Sequence, residues 1–350
     1  MDCFKYTFFK GEKMKKIRVV QMGLGAMGAG MARLILSKKS LELVGACDAD
    51  PGKIGKDLSE ILDISSKTGI TVGSDYIAEI RNTKPDIIVV AISSFVTEVY
   101  EVIMSCVKEG VNVITIAEEM AYPWAANKEL SDNMDKAARE HGVSILGTGI
   151  NPGFVLDALV IMMSGVSRSI NRIEASRIND LSPFGPTVMK TQGVATSPEE
   201  FKKGIEDGSI VGHIGFQQSI SMIALAMGIE LDSIEEIREP IISKTERITK
   251  YVHVKPGMVA GCKHIGYGIK NGEKVITLIH PQQVKPELED IDTGDYINIY
   301  GDPDIHLSIK PECPGGIGTI ACTVNCLPLL LKAKPGMITM MDIPLPRICN

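Results

Sequence analysis

Short runs of apolar residues recur through the first half of the chain, without the polar alternation of a half-exposed strand. Continuous apolar runs of this length are typical of strands that are covered on both faces. The segments between them have the apolar spacing of helices, so the pattern predicts an α/β domain with a parallel, doubly wound sheet. The predicted strands are residues 17–22, 41–47, 70–72, 86–92, 111–116 and 143–146, and the predicted helices are residues 28–37, 54–64, 95–108 and 124–140.

After Asn151 the pattern changes to strands that are joined by tight turns. Asn271 and Gly272 lie between two strand-like runs, as in a β-hairpin, and a turn at Gly301 joins two further strands. This pattern predicts a second, α+β domain with a mostly antiparallel sheet. Its predicted strands are residues 172–178, 259–269, 274–280, 296–300 and 305–309, and its predicted helices are residues 154–163 and 214–227.

The glycine spacing after the first predicted strand is that of a dinucleotide-binding turn. Gly23 permits the tight turn, Gly25 lets the backbone approach a phosphate, and Gly28 lets the following helix pack close to the strand. The free N–H groups at the start of that helix, at Ala26 and Met27, would face the anion. The alternative is an ordinary turn in which glycine serves packing alone.

Asp48 ends the second predicted strand, 20 residues after Gly28. An acidic side chain at this position can accept hydrogen bonds from both ribose hydroxyls. Such a carboxylate repels a 2′-phosphate, so NAD is favoured over NADP as the cofactor. Lys53 follows closely enough to soften that preference.

These signals divide the chain into four parts. We expect an N-terminal extension at 1–14, an NAD(P)-binding Rossmann domain at 15–150, and a substrate and dimerisation domain at 151–315. A C-terminal helix and tail at 316–350 should pack back on the first domain. The extension lacks the features of a secretory signal, and Met14 is a candidate true start. The homodimer is expected by analogy with the fold alone.

Composition narrows the possible partners. The chain has 350 residues, 44% of them hydrophobic, and a formal net charge of −6, which offers no basic field for nucleic acid or an anionic membrane. The longest apolar segment near the C-terminus, residues 317–331, is too short to span a bilayer. The eight cysteines include no CxxC pair. We therefore expect a cytoplasmic protein without a disulfide framework or a metal site.

In an open parallel sheet the ligand lies beyond the carboxyl ends of the strands. Ser93 and Ser94 follow one predicted strand, where they can line the cofactor or cap the next helix. Glu118 and Glu119 follow the next, where the nicotinamide should lie. A carboxylate there can act as a general base with a raised pKa, although both can also be helix caps.

A third loop, residues 147–153, is rich in glycine and proline. We expect it to bring backbone close to the cofactor, with Asn151 facing the substrate.

Further candidates come from the second domain. Arg177 and Asn179 share one side of a strand by period-two alternation, and an arginine at a strand end can hold a carboxylate through two hydrogen bonds. A surface salt bridge is the competing interpretation for Arg177. His280 is either a site residue or a core histidine. Thr319 is either a helix cap or a substrate contact.

Together these loops resemble the 2,4-diaminopentanoate dehydrogenase family, amine dehydrogenases of anaerobic ornithine breakdown. The first domain is similar to that of dihydrodipicolinate reductase, but none of the six histidines is adjacent to another, which disfavours that reductase's activity. The resemblance covers nearly everything from Lys15 onward. Its most specific segments are residues 22–28, 117–124, 147–153, 177–194 and 314–319.

The resemblance implies oxidative deamination of a diamino acid with NAD or NADP, releasing ammonia. It also implies a glutamate near the nicotinamide. Glu119 is favoured over Glu118 because it takes the place of the lysine in the E-K-P loop of related two-domain oxidoreductases. The substrate-binding residues that it implies are Asn151, Arg177, Asn179, His280 and Thr319. The alternatives are another amine or amino-acid dehydrogenase on the same fold, or a nucleotide-sensing regulator without turnover.

Overall fold

A parallel sheet of buried strands forms the first domain of the computed structural model, which describes residues 15–349. The predicted extension at 1–14 and the candidate start at Met14 lie outside the described residues. All four residues of the third and fifth strands are buried, as the continuous apolar runs predict. The strands are β1 (Ile17–Met22), β2 (Leu41–Cys47), β3 (Ile87–Val90), β4 (Asn112–Thr115) and β5 (Ser144–Gly147).

Helices cover both faces of this sheet. Successive residues of β3 alternate between two cores, with Ile87 in the core of one face and Ile88 in that of the other. The doubly wound α/β prediction is confirmed. The helices are α1 (Ala26–Ser37), α2 (Leu58–Leu62), α3 (Tyr76–Thr83), α4 (Val96–Lys108) and α5 (Lys128–His141), with 3₁₀ turns at Glu118–Ala121 and Pro123–Ala125.

Between β2 and β3 the predicted elements were wrong. The predicted strand 70–72 forms only an isolated bridge, at Thr71. The predicted helix 54–64 shrinks to α2, because Asp57 and Glu60 form a capping box that starts the helix there. Helix α3 was not predicted, although Asp75 accepts hydrogen bonds from two N–H groups of its first turn.

The second domain contains a six-stranded sheet in the order β13-β12-β6-β11-β10-β7, in which β6 and β11 are parallel and the other neighbours antiparallel. This confirms the mostly antiparallel α+β prediction. Its larger strands are β6 (Ser169–Asp180), β7 (Ser233–Ile242), β10 (Val259–Lys270), β11 (Glu273–Gln283), β12 (Gly294–Asp302) and β13 (Ile305–Ile309). The remaining elements are α6 (Ala158–Ser164), α7 (Pro186–Thr191), α8 (Pro198–Glu206), α9 (Phe216–Ala226), the short strands β8 (Arg247–Ile248) and β9 (His253–Val254), and a 3₁₀ turn at Pro286–Glu289.

Alternate residues of β6 face the interior of this domain. Ile173 and Ala175 are buried in the apolar core between the sheet and α9, and the same face continues to Arg177 and Asn179, which are also buried. The strand thus carries polar side chains from an apolar core into the region that faces the first domain.

The C-terminal segment returns to the first domain. Helix α10 (Gly315–Leu330) buries Cys326 and Leu327 in the same core as α1, and β14 (Gly336–Ile338) adds to the parallel sheet beside β5. The complete strand order of that sheet is β14-β5-β4-β3-β1-β2. Over the described part of the chain, no helix combines the length and apolar character that a membrane span requires.

Candidate active site

The glycine turn after β1 has the geometry of a phosphate cradle. Gly23 has a φ of +83°, and a Cβ there would lie 2.3 Å from the Ala91 carbonyl oxygen. A Cβ on Gly28 would lie 1.9 Å from the Gly23 carbonyl oxygen. A Cβ on Gly25, in contrast, would meet open space. Gly23 and Gly28 are therefore fixed by packing, whereas Gly25 borders space that a ligand can fill.

Helix α1 leaves its first N–H groups available to that space. Its N-cap is Gly25, which provides no capping side chain, and its first turn contains no acidic residue. The N–H groups near Ala26 and Met27 and the positive end of the helix dipole therefore suit an anion. These residues fit the pyrophosphate of a dinucleotide.

Asp48 lies beside this turn at the end of β2. Its carboxylate accepts hydrogen bonds from the Leu24 N–H at 2.7 Å and the Asp50 N–H at 2.8 Å, and it forms an ion pair with Lys53 at 3.0 Å. Burial raises its pKa, but these hydrogen bonds outweigh burial and hold the pKa below its ordinary value. Asp48 is thus a fixed carboxylate whose partner cation is adjacent to the ribose position.

Apolar side chains at the end of β3 lie open to solvent. Ile92 is 42% exposed and Phe95 is 38% exposed. Ser93 between them donates its hydroxyl to Glu98 and accepts a hydrogen bond from the Phe95 N–H at 3.3 Å. The cap and the cofactor-lining interpretations of Ser93 are both compatible with this geometry.

Glu119 caps α4, the helix that precedes it in the chain. Its carboxylate accepts a hydrogen bond from the Val96 N–H at 2.8 Å, at the first residue of α4. Its own N–H donates to the Ser94 carbonyl oxygen at 3.1 Å. Glu119 therefore ties the turn after β4 to the turn after β3 and engages one carboxylate oxygen in doing so.

Glu118, its neighbour, is in a different environment. Burial raises the pKa of its carboxyl group; a hydrogen bond from the Ser94 side chain opposes the shift, and the charge of Glu119 adds to it. Gly147 makes room for this turn, because a Cβ there would lie 2.1 Å from the Met120 carbonyl oxygen. Of the two carboxylates, Glu118 is thus the one whose pKa burial raises.

The buried carboxylate of Asp157 holds the loop 147–153 in place through a hydrogen bond. Asp157 accepts hydrogen bonds from the Gly153 N–H at 2.7 Å and the Ser219 hydroxyl at 2.9 Å. The predicted helix 154–163 begins only at Ala158, since Asp157 is its N-cap. Burial raises the pKa of Asp157. This network fixes the backbone that carries Asn151.

Asn151, Asn179 and His280 form one hydrogen-bonded group within the second domain, which begins at Asn151. The His280 Nε2 lies 3.1 Å from the Asn179 Oδ1, and its Nδ1 lies 3.3 Å from the Asn151 Nδ2. His280 therefore donates from Nε2 and accepts at Nδ1, the arrangement of a neutral imidazole. Burial lowers its pKa well below the ordinary value, and the positive charge of Arg177 lowers it further.

Arg177 is buried rather than part of a surface salt bridge, so that competing interpretation was wrong. Its side chain is 2% exposed and forms an ion pair with Asp295 at 2.6 Å. It also donates to the Cys313 carbonyl oxygen. The first turn of α10 lies close by, since a Cβ on Gly315 would lie 3.9 Å from an Arg177 nitrogen.

Thr319 lies in that first turn. Its Oγ1 accepts a hydrogen bond from the Ile150 N–H at 3.2 Å, and this contact joins α10 to the loop that carries Asn151. Helix α10 has no capping side chain at its N-terminus. The predicted substrate residues of the second domain and the C-terminal segment are thus brought to one place; whether they bind substrate stays a prediction.

Two further polar side chains border this group and were missed from the sequence. The His213 ring packs against His280 with ring centroids 4.9 Å apart, and the Gln192 side chain donates to the Gly212 carbonyl oxygen at 2.8 Å. A histidine between Gly212 and Gly215 is a signal that could have been noticed; Gln192 offers none. Within residues 15–349, no cluster of His, Cys, Asp or Glu suits a metal ion.

The chain is similar to known proteins along nearly its whole length. Residues 154–350 match the family model of the 2,4-diaminopentanoate dehydrogenase C-terminal domain, and residues 17–117 match that of the dihydrodipicolinate reductase N-terminus. The 2,4-diaminopentanoate dehydrogenase of Acetoanaerobium sticklandii is 44% identical over 340 residues, which cover 95% of each chain. An amine dehydrogenase of Streptomyces virginiae is 26% identical, covering 94% of this chain and 96% of its own.

Solved structures of other dehydrogenases are similar to this chain over most of its length. The amine dehydrogenase from Mycobacterium smegmatis superposes with a TM-score of 0.83 at 27% identity, covering 95% of this chain and 97% of that one. Myo-inositol 2-dehydrogenase from Lactobacillus plantarum has a TM-score of 0.53 at 15% identity, covering 94% and 93%, and shares the fold alone.

Proposed function

This chain belongs to the 2,4-diaminopentanoate dehydrogenase family and is an NAD(P)-dependent oxidoreductase, and from this premise we propose that it oxidises 2,4-diaminopentanoate to 2-amino-4-oxopentanoate and ammonia. We place the reaction in ornithine degradation. The observation that carries the proposal is the half-buried Glu118 after β4, whose raised pKa suits a base, together with the buried Arg177, Asn179 and His280 of the second domain. A non-catalytic regulator needs no such base.

We assign the base to Glu118 rather than to Glu119. The Glu119 carboxylate is engaged with the first N–H of α4, while Glu118 is the carboxyl group whose pKa burial raises. A raised pKa makes Glu118 a better proton acceptor from a substrate ammonium group. Glu119 then serves as a positioning residue that holds the Glu118 turn against α4.

The proposed reaction begins with a proton transfer to Glu118 and ends with the release of ammonia. Glu118 takes a proton from the C4 ammonium group and frees the nitrogen lone pair. When bound, the nicotinamide supplies the acceptor for the hydride that leaves C4, and the substrate becomes an iminium ion. After Glu118 has released its proton to solvent, it accepts one from water as the water oxygen bonds to C4. Ammonia then leaves as the ketone forms.

We propose that the substrate carboxylate lies between Arg177 and the first turn of α10. The guanidinium has five N–H donors, and the contacts with Asp295 and Cys313 leave others available. Asp295 fixes the guanidinium in place and compensates its charge before substrate binds. Asn179 and Thr319 border the same place and are the other candidate donors, while Asn151 and His280 hold the Asn179 side chain in position.

For the cofactor we propose NAD in preference to NADP. Asp48 is held in the position where a carboxylate accepts from ribose hydroxyls and repels a 2′-phosphate. Ser94, whose side chain hydrogen-bonds to Glu118, and the exposed Ile92 are then the candidates to line the nicotinamide end of the cofactor. Lys53, the ion-pair partner of Asp48, is a cation that can also bind a 2′-phosphate. We therefore propose that the preference for NAD over NADP is partial.

We also propose a homodimer in the cytoplasm. The edge strand β7 exposes Ile237 and Ile242, which a second copy can cover. Each cysteine that the structure describes is free, as expected in a reducing compartment.

The function is tested by supplying purified protein with NAD and 2,4-diaminopentanoate and measuring NADH and ammonia together. We expect the two products to appear in equal amounts, with faster turnover on the diamino acid than on simple amines. Ammonia-free NADH formation, or no turnover on any diamino acid, contradicts the proposal. A simple amine that outperforms the diamino acid assigns the chain a different amine substrate.

A further inference from the structure

Three buried polar atoms beside the proposed substrate position have no hydrogen-bond partner within the described chain. They are the Asn151 Oδ1, the Gln192 Oε1 and the His213 Nε2. Leaving a buried polar atom unpaired costs about 1–3 kcal/mol, so such atoms in a binding cleft point to a ligand. We name these three side chains the acceptor cluster.

The members of the acceptor cluster are close together. Asn151 and His213 both contact His280, one through a hydrogen bond at 3.3 Å and the other through ring packing at 4.9 Å. Gln192 is attached to the residue before His213, through the Gly212 carbonyl oxygen. Gly215 packs on Pro152, since a Cβ there would lie 2.6 Å from that ring, so the two segments lie against each other.

Two of the three atoms can only accept hydrogen bonds. Asn151 and Gln192 use their amide N–H groups on His280 and on Gly212, and these contacts leave a carbonyl oxygen unpaired in each side chain. Burial is the main cause that lowers the pKa of His213 to about 3, and His264 and Arg177 contribute to the shift. The His213 ring is therefore neutral, and its Nε2 can accept a hydrogen bond.

The His213 ring is held rigidly. The His213 backbone N–H donates to the His264 Nδ1 at 3.0 Å, and the His264 Nε2 in turn lies 2.9 Å from a Glu236 carboxylate oxygen. The ring also packs against Phe216 with centroids 5.0 Å apart. A rigid acceptor loses little conformational freedom on binding and therefore discriminates well between ligands.

An ammonium group is the complement of such a cluster, because it has three donors and no acceptor. The proposed substrate has two amines, and its C2 amine is attached to the carbon that bears the carboxylate. With the carboxylate at Arg177, the C2 amine must lie beside it. Asp295 and the carboxylate balance the charge of Arg177, so a cation is tolerated nearby.

We propose that His213, with Gln192 and Asn151, binds the C2 ammonium group and selects 2,4-diamino acids over 4-amino acids. This inference rests on the function proposed above. It gives the second amine of the substrate a site of its own, separate from the Glu118 site at C4.

The test compares 2,4-diaminopentanoate with 4-aminopentanoate, which lacks the C2 amine, in the parent enzyme and in His213→Phe. Phenylalanine keeps the ring packing and removes the acceptor. We expect kcat/KM for the diamino acid to fall on the order of 10- to 100-fold and that for 4-aminopentanoate to change by less than about 3-fold. Gln192→Leu should show the same selective loss. His306→Phe, on an exposed histidine of β13, is the matched control and should change neither value.

His213→Gln, which can still accept, should restore part of the diamino-acid activity. Equal losses on both substrates in His213→Phe and Gln192→Leu, with NADH binding retained, overturn the inference and leave the proposed function standing. If His213→Phe does not fold, Gln192→Leu and His213→Gln decide the outcome in the same way. If the parent enzyme oxidises neither substrate, the proposed function itself fails.

Discussion

Glu118 and Glu119 are adjacent in the chain but differ in environment because the turn after β4 points them at different neighbours. Glu119 satisfies the first N–H of α4, whereas Glu118 is desolvated and hydrogen-bonded by Ser94. The sequence predicts a carboxylate at this place and favours Glu119 by family position. It cannot rank the two residues, because the partner of Glu119 lies 23 positions earlier in the chain.

A second single residue, Asp48, carries the proposed preference for NAD over NADP. Asp48→Ser removes the charge that repels a 2′-phosphate and frees Lys53 to bind it, so the ratio of kcat/KM for NADP to that for NAD should rise by roughly 10-fold or more. Steady-state kinetics with both cofactors measures the ratio. Lys53→Ala is the matched control and should lower the use of NADP. A parent enzyme that already prefers NADP strongly shows that Asp48 does not act this way.

Among the secondary-structure elements, the start of α1 offers a glycine, Gly25, whose role in cofactor binding can be tested apart from any role in packing. Gly25→Ala places a methyl group in open space, at a backbone conformation that alanine tolerates. We expect the Kd for NADH to rise roughly 10-fold or more because the methyl group occupies the phosphate position. The melting temperature should change by less than about 2 °C, since nothing in the protein is displaced. Calorimetry and thermal denaturation measure the two quantities.

Gly185→Ala is the control, because a Cβ there also meets open space and Gly185 is not part of the turn after β1. It should leave both the Kd for NADH and the melting temperature unchanged. If Gly25→Ala binds NADH as tightly as the parent does, the pyrophosphate does not bind at this turn.

Elements with strong local signals were predictable, and those that depend on distant partners were not. β3 and β5 are recognised from continuous apolar runs. β14 has three residues and becomes a strand only by pairing with β5, which lies 192 residues earlier in the chain. β7 was missed because Ile234, Ile237 and Ile241 are three and four residues apart, which is not the period-two alternation of a strand.

For the molecule as a whole, the proposed active site is assembled from three separate parts of the chain. The first domain provides the cofactor turn and Glu118, the second provides Arg177, His213 and His280, and α10 closes the site with Thr319. Helix α10 packs in the core of the first domain, so the site depends on the chain returning to where it began. Sequence reasoning can name residues in each part, but the buried Arg177–Asp295 pair and the acceptor cluster exist only once these parts are packed together.

The central claim is that Glu118 is the base for oxidative deamination. It is tested most directly by kcat/KM for 2,4-diaminopentanoate, followed through NADH and ammonia, in Glu118→Gln and Glu119→Gln. We predict a loss on the order of 10²-fold or more for Glu118→Gln, because the proton acceptor is removed. Glu119→Gln should stay within about 10-fold of the parent, since a glutamine oxygen can still accept from the Val96 N–H. The reverse ranking, or equal and small losses in both variants with ammonia still released, contradicts the account.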